Sequence, residues 1–111
     1  MLEVVFYRDA RKRLSSIVAL GHARGGPYGK DIVCAAASAV LQAARLGLEE
    51  HAGLPLEVSS EPGAFSLRWP ARSRDDARVK AIVETAELAV RQIARQYPKH
   101  VRIRRRTEKA G

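Results

Sequence analysis

A histidine and the chain's single cysteine lie twelve residues apart, at His22 and Cys34, with a glycine-rich segment between them. A cysteine attacks a carbonyl carbon as its thiolate, and a neighbouring histidine can take the thiol proton and later return it to the leaving amine. The pair therefore indicates nucleophilic catalysis by a thiol. The spacing alone also fits a plainer interpretation, in which Cys34 is a small buried apolar residue and His22 lies on the surface.

Two further polar residues accompany Cys34 on a helix that we predict over 31–50. Asp31 is a candidate N-cap, which would place Cys34 in the first turn, where unpaired backbone N–H groups and the helix dipole favour a negative sulfur. The same N–H groups could bind the oxyanion of a tetrahedral intermediate. Because Asp31, Cys34 and Ser38 are three and four residues apart, they share one helix face. We therefore expect Asp31 to cap the helix or to orient His22, and Ser38 to support the site.

The sequence predicts neither a metal site nor a phosphate site. Cys34 and the three histidines lack the paired spacing of metal ligands. The segment 25–30 reads Gly-Gly-Pro-Tyr-Gly-Lys, but Asp31 follows where a Walker-type phosphate loop has Ser or Thr, and a carboxylate repels phosphate. We therefore expect a reaction that needs no cofactor.

Length and composition indicate one folded domain. The chain has 111 residues, of which 46% are hydrophobic, enough for one core but not for two. We assign residues 1–106 to this domain and 107–111 to a short basic tail. We expect no signal peptide and no membrane span, because the N-terminus lacks the basic and apolar regions of a leader and no apolar run approaches about 20 residues. A single cysteine suits a reducing compartment, so we expect a cytoplasmic protein.

The positive charge is concentrated near the C-terminus. The chain has a net charge of +8, and the segment 95–111 holds seven basic residues and one acidic residue. A basic end of this kind can bind RNA, a ribosomal surface or an acidic protein, or it can be a solvated tail. The alternative function is therefore a non-enzymatic module that binds the ribosome or RNA through its basic C-terminal strand. Only six aromatic residues are available for base stacking, and no RNA-binding signature is present.

Apolar periodicity predicts an α+β fold with the order β-β-α-β-β-α-β. We place the strands at 2–7, 14–20, 54–59, 65–69 and 100–106, and the helices at 31–50 and 74–97. The first helix carries one buried stripe formed by Val33, Ala37, Val40 or Leu41, Ala44 and Leu48. Two helices of this length cover one face of a mostly antiparallel sheet, and the basic last strand suits a sheet edge.

The chain resembles the ribosomal-processing cysteine protease family, called Prp, in two strings. These are 21–23, which reads Gly-His-Ala, and 29–40, which reads Gly-Lys-Asp-Ile-Val-Cys-Ala-Ala-Ala-Ser-Ala-Val. The resemblance covers nearly the whole chain in length and order of elements. Ala37 stands where the family more often has valine, which leaves a smaller side chain on the buried stripe.

The resemblance implies a site, a substrate and an assembly. His22 and Cys34 fall on the positions of the family's catalytic pair. The loop that includes Gly25, Gly26, Tyr28 and Gly29 would be mobile and would close over the substrate. The implied substrate is the N-terminal extension of bacterial large-subunit ribosomal protein twenty-seven, cut after an aromatic residue. The resemblance also implies a homodimer, and the basic C-terminal strand suggests electrostatic contact with rRNA.

Overall fold

Two long helices cover one face of a five-stranded sheet in the computed structural model, which describes residues 1–21 and 29–108 and only the backbone of 29–31. Over these residues the elements are β1 (Leu2–Arg8), β2 (Leu14–Gly21), α1 (Gly29–Glu50), β3 (Glu57–Glu61), β4 (Ala64–Arg68), α2 (Ala77–Gln96) and β5 (Val101–Thr107). The predicted order β-β-α-β-β-α-β and the α+β class are confirmed.

The sheet has the strand order β3-β4-β2-β1-β5. All neighbouring strands are antiparallel except β1 and β5, which run parallel and pair Leu2 with Val101. A parallel pair needs a crossover connection, and α2 supplies it. The basic strand β5 therefore lies at one edge of the sheet, as predicted, and β3 lies at the other edge.

The core lies between the sheet and the helices. Its strand residues alternate along the chain and include Val4, Phe6, Ile17, Leu67 and Val101. The buried stripe of α1 is the predicted one, with Leu41 rather than Val40 fully inside: Val33, Ala37, Leu41, Ala44 and Leu48. The matching stripe of α2 consists of Val79, Val83, Ala86 and Val90. These residues form a single hydrophobic core that places both helices on the same face of the sheet.

The start of α2 differs from the prediction. Ser73 does not cap the helix, because it lies in a short 3-10 turn and its hydroxyl donates a 2.6 Å hydrogen bond to the carbonyl oxygen of Pro70. The cap is Asp76, whose carboxylate accepts from the backbone N–H groups of Arg78 and Val79 at 2.8 and 3.4 Å. The N-cap is therefore Asp76, and α2 begins at Ala77, three residues later than the predicted start at residue 74.

The helix α1 is apolar as well as long. Its segment Ile32–Glu50 has a mean hydropathy of 1.4, which by length and composition is enough to cross a bilayer. Composition of this kind also occurs in helices that pack in the core of a globular domain. One face of α1 packs in the core described above, so we assign it as a core helix.

The structured chain extends past residue 106, where the sequence predicts the end of the domain. Thr107 is the last residue of β5, and the backbone N–H of Glu108 donates a 2.7 Å hydrogen bond to the carbonyl oxygen of Arg8. The carboxylate of Glu108 then accepts from the hydroxyl of Ser15 at 2.7 Å and from the guanidinium of Arg68. Thr107 and Glu108 are therefore part of the folded domain.

Candidate active site

The position of Cys34 on α1 corrects one expectation. The helix begins at Gly29, two residues before the predicted start, so Cys34 is its sixth residue and lies in the second turn. Asp31 accordingly lies inside the first turn and not before it. The backbone of Gly29 and Lys30 continues the helix toward the N-terminus, and such boundaries often shift by one or two residues.

This shift changes which backbone groups can stabilise negative charge near the sulfur. In an α-helix only the first four N–H groups lack an intrahelical acceptor, and the dipole effect falls off within the first turn. The N–H of Cys34 therefore donates within the helix and is not free to bind an oxyanion. Of the predicted oxyanion donors around Asp31 to Cys34, only the N–H groups of the first turn remain candidates.

Cys34 is half-buried at the wall of a cleft of about 170 Å³. Ser38, one turn further along α1, lines the same cleft. The four-residue spacing thus brings these two side chains to one helix face, as the sequence predicts. The remaining lining residues come from strands β1 to β4, from the β3–β4 turn and from α1: Leu2, Ala19, Gly21, Ala37, Leu41, Gln42, Ser60, Glu61, Gly63, Ala64 and Phe65.

Gly21, the last residue of β2, forms part of the cleft and has a conformation that requires glycine. Its φ is +92°, and a Cβ atom on it would lie 2.4 Å from the carbonyl oxygen of Met1. Its N–H donates a 2.9 Å hydrogen bond to the carbonyl oxygen of Gly63. A side chain at Gly21 would therefore clash with backbone, not with a movable side chain.

Several predicted site residues lie outside the described part of the chain. These are His22, Gly25, Gly26 and Tyr28, together with the side chain of Asp31. Gly29 is described, and it is the first residue of α1. The roles assigned to these residues stay predictions.

Residues that sequence reasoning missed form most of the cleft wall. Gln42 follows Ser38 by one turn, and that spacing is a local signal for a shared helix face. Ser60, Glu61 and Phe65 come from the β3–β4 hairpin. No local pattern indicates their proximity to Cys34, because it arises from the order of strands in the sheet.

Two other features of the surface bear on the choice of site. A larger apolar groove of about 790 Å³ lies between α1 and α2, and it contains neither Cys34 nor Ser38. Among the side chains of residues 1–21 and 32–108, no group of three His, Cys, Asp or Glu residues could hold a metal ion. The cleft at Cys34 is therefore the better candidate for thiol chemistry, and the expectation of no metal or cofactor stays a prediction.

Comparison with known proteins identifies the family. The family model described as cysteine protease Prp matches residues 1–102. The chain belongs to the Prp family. It is therefore a cysteine protease, as the sequence predicts, and its single cysteine lies in the cleft just described.

Two curated Prp proteins illustrate the relationship. The ribosomal processing cysteine protease Prp of Bacillus subtilis (strain 168) is 28% identical over 107 residues, which cover 93% of this chain and 96% of that protein. The protein of the same name from Staphylococcus aureus (strain Mu50 / ATCC 700699) is 31% identical over 94 residues, covering 82% and 86%.

Solved structures share the fold. SMU.848 from Streptococcus mutans has a TM-score of 0.81 at 28% identity, with 97% of this chain and 96% of that chain covered. An essential ribosomal processing protease Prp from S. aureus, in complex with a covalently linked product peptide, has a TM-score of 0.84 at 24% identity, with 95% and 99% covered. The Prp fold therefore extends over nearly all of this chain.

Proposed function

We propose that this protease removes the N-terminal extension of bacterial large-subunit ribosomal protein twenty-seven during ribosome maturation, with Cys34 as nucleophile and His22 as base. One observation carries the catalytic part of the proposal: half-buried Cys34 and Gly21, the residue bonded to His22, line the same cleft. The names of the curated B. subtilis and S. aureus relatives, ribosomal processing cysteine proteases, support the substrate class.

The proposed reaction proceeds through a thioester. His22 takes the proton of the Cys34 thiol, and the sulfur attacks the scissile carbonyl carbon. The C–N bond then breaks as His22 returns the proton to the leaving amine. Water attacks the thioester, the C–S bond breaks, and the thiol is regenerated. N–H groups at the start of α1 are the proposed donors to the oxyanion in both steps.

The place of Cys34 in the helix makes a separate base important. A cysteine in the first turn would gain from free N–H groups and from the dipole, but Cys34 lies in the second turn. His22 must therefore supply most of the activation, with Asp31 as the proposed orienting residue. Ser38 is the proposed supporting residue, and Gly25, Gly26, Tyr28 and Gly29 belong to the proposed substrate-binding loop.

The dyad is tested by comparing alkylation with cleavage. A His22→Ala protein should react more slowly with iodoacetamide at neutral pH and should lose cleavage by at least about a hundredfold, the usual contribution of a general base. A His51→Ala protein is the matched control, since His51 lies at the C-terminal end of α1. Equal alkylation and cleavage rates for His22→Ala and wild type would contradict the dyad.

The substrate is tested with the host's own precursor of ribosomal protein twenty-seven. Mass spectrometry should show one cut, after an aromatic residue of the extension, and a matched precursor with a scrambled extension should stay intact. Cleavage of both precursors at several sites would contradict the proposed specificity. A precursor that wild type leaves uncut would contradict the substrate itself.

An electrostatic contact with rRNA is a second proposal, and it concerns the strand β5. Register with β1 places Arg102, Arg104 and Arg106 on the sheet face opposite the helices. Arg104 pairs with Glu3 at 3.0 Å, whereas Arg102 and Arg106 make no ion pair within the described residues. Phosphate contacts of this kind weaken steeply with salt. A filter-binding assay that shows no rRNA affinity at low salt, or equal affinity for Arg102→Ala/Arg106→Ala, would contradict the contact.

The proposed protease is a cytoplasmic homodimer. The cytoplasm keeps a free thiol such as Cys34 reduced. Sedimentation equilibrium at micromolar concentration should give twice the mass of the chain, which is 12.2 kDa. A monomer mass under these conditions would contradict the dimer and leave the cleavage chemistry unchanged.

A further inference from the structure

A second cleft, of about 360 Å³, lies between the β1–β2 turn and the first two turns of α2, and we call it the turn pocket. Leu2 and Gly21 line the cleft at Cys34, whereas Arg8 and Leu14 line the turn pocket, at the opposite end of the same pair of strands. The six residue steps from Leu2 to Arg8, at about 3.3 Å each, separate the two ends by roughly 20 Å. The lining of the turn pocket includes six basic side chains: Arg8, Arg11, Lys12, Arg13, Arg74 and Lys80.

Neighbouring carboxylates balance only part of this positive charge. Asp75 and Glu84 line the turn pocket, and Asp9 and Glu87 are ion-pair partners of its arginines. Asp9 lies 3.1 Å from two arginines, and Glu87 lies 3.0 to 3.8 Å from three, two of which lie outside the lining. The pocket and its ion-pair partners thus hold eight basic and four acidic side chains. Asp31, the one acidic residue whose side chain is not described, would neutralise at most one of the four excess charges.

The base of the turn pocket is held in place by hydrogen bonds. Arg74 is 5% exposed and donates to the carboxylate of Asp9 at 3.1 Å and to the carbonyl oxygen of Trp69 at 2.9 Å. Its Nε–H is also buried and has no acceptor among the described residues. Asp9 accepts from the backbone N–H groups of Arg11 and Arg13 at 2.9 and 3.1 Å, which fixes the turn. The pocket therefore combines a fixed guanidinium with a fixed turn backbone, and its arginines retain a donor in excess of the acceptors.

Size, charge and position of the turn pocket suit a phosphate of an extended polyanion. Its volume lies within the range of about 300 to 1,000 Å³ typical of small-ligand sites. Guanidinium and ammonium groups are the usual partners of phosphate. The pocket is also continuous with the basic strand β5, because Arg105 shares Glu87 with Arg8, and Thr107 pairs with Arg8. A chain of phosphates can contact both the pocket and β5, which a single acidic side chain cannot.

Independently of the peptidase function, we propose that the turn pocket binds a phosphate group of the RNA backbone. The contact is electrostatic and does not depend on base sequence, so it weakens steeply as salt is added. Because the pocket lies roughly 20 Å from the end of β1 that lines the cleft at Cys34, bound RNA leaves that cleft open. The protein can therefore hold RNA and a peptide at the same time.

Removal of two lining charges tests the proposal. Binding of a fluorescein-labelled RNA hairpin is measured by anisotropy between about 50 and 200 mM salt. The double variant Lys12→Gln/Lys80→Gln should bind about tenfold more weakly at the lowest salt. The slope of log K against log salt should fall by about one for each lysine that contacts a phosphate. Both lysines are exposed, so thermal unfolding and peptide cleavage should match those of wild type.

The matched control is Arg95→Gln/Lys99→Gln, which removes the same charge at two exposed positions outside the turn pocket. Arg95 lies in the last turn of α2, about 22 Å along the helix from Lys80. This protein should bind RNA within about twofold of wild type. Wild-type affinity and salt slope for Lys12→Gln/Lys80→Gln, or an equal loss in the control, would overturn the proposal.

Two competitors identify the source of the anion. Poly-glutamate, at the same concentration of charges, should displace the labelled RNA less than unlabelled RNA does, and equal displacement would assign the pocket to an acidic protein instead. Inorganic phosphate at matched ionic strength should leave the RNA bound, and release of the RNA would assign the pocket to a free phosphate. Either contrary result overturns the RNA assignment, and neither depends on peptide cleavage.

Discussion

The N–H of Gly21 donates a 2.9 Å hydrogen bond to the carbonyl oxygen of Gly63, which joins the end of β2 to the tip of the β3–β4 hairpin. Both glycines line the cleft beside Cys34, and both have positive φ angles, +92° and +78°. The bond therefore fixes the wall of the cleft opposite α1.

Replacement of Gly21 by alanine should damage stability and activity together. The new Cβ atom would lie 2.4 Å from the carbonyl oxygen of Met1 at a φ that side chains rarely adopt. We expect a loss of about 3 kcal/mol or more in the free energy of unfolding, from strain plus the backbone clash. Urea unfolding and peptide cleavage measure the two effects.

The control for this change is Gly53→Ala. Gly53 has a φ of +63°, but a Cβ atom added to it would have nothing within 4 Å. Only the strain of the left-handed backbone remains, so we expect the free energy of unfolding to fall by about 1 kcal/mol. Cleavage by this protein should equal that of wild type. Equal stability losses for the two variants would contradict the account of Gly21.

The buried carboxylate of Glu87 should matter for stability. It is 5% exposed on α2 and accepts two hydrogen bonds from Arg8, at 3.1 and 3.0 Å, with Arg105 at 3.6 Å. A Glu87→Gln change leaves arginines beside an uncharged buried amide. We therefore expect the free energy of unfolding to fall by about 2 to 3 kcal/mol. The exposed neighbour Glu84→Gln should change stability by less than about 0.5 kcal/mol. Matching denaturation midpoints for both variants would refute the role of Glu87.

Stability should fall in acid partly through Glu108. Hydrogen bonding from Arg68, and then from Ser15, holds the pKa of Glu108 below its ordinary value of 4.5 against the opposing effect of burial. A carboxylate with a lowered pKa in the folded state stabilises the fold at neutral pH. That contribution is lost as the pH falls below 4.5 and through the folded-state pKa.

The variant Glu108→Gln isolates this contribution. It should be less stable than wild type at pH 7, and the difference should shrink as the pH is lowered, because wild-type Glu108 then becomes neutral as well. Glu57→Gln is the control, since Glu57 is 84% exposed and lies 4.0 Å from the same Arg68. Parallel stability curves for wild type and Glu108→Gln across pH 3 to 7, measured by urea unfolding at roughly one-unit steps, would contradict the assignment.

Local periodicity explains which parts of the fold could be predicted. The stripe from Val33 to Leu48 repeats at helical spacing, and Val101 and Ile103 alternate with arginines, so α1 and the edge strand β5 follow from neighbouring residues. The parallel pairing of β1 with β5 could not be predicted in this way. It depends on contacts between residues about a hundred positions apart, such as Leu2 and Val101.

In the site, too, only the features that depend on local spacing could be predicted from the sequence. The spacing of Cys34 and Ser38 places them on one helix face, and both line the cleft. The presence of Glu61 in the cleft lining could not be predicted, because it depends on the order of strands in the sheet. The burial of Glu87 was also hidden, since its partner Arg8 lies 79 residues away. In each case the missing information is a tertiary contact.

Removal of the Cys34 thiol is the decisive test of its role as the nucleophile. Wild type and Cys34→Ala are each incubated with the host's precursor of ribosomal protein twenty-seven, and intact masses are recorded over time. We expect one cut by wild type, no cut by Cys34→Ala at equal concentration, and the same thermal unfolding for both proteins. A Cys34→Ala protein that cuts the precursor at the wild-type rate would contradict the assignment of Cys34 as the nucleophile.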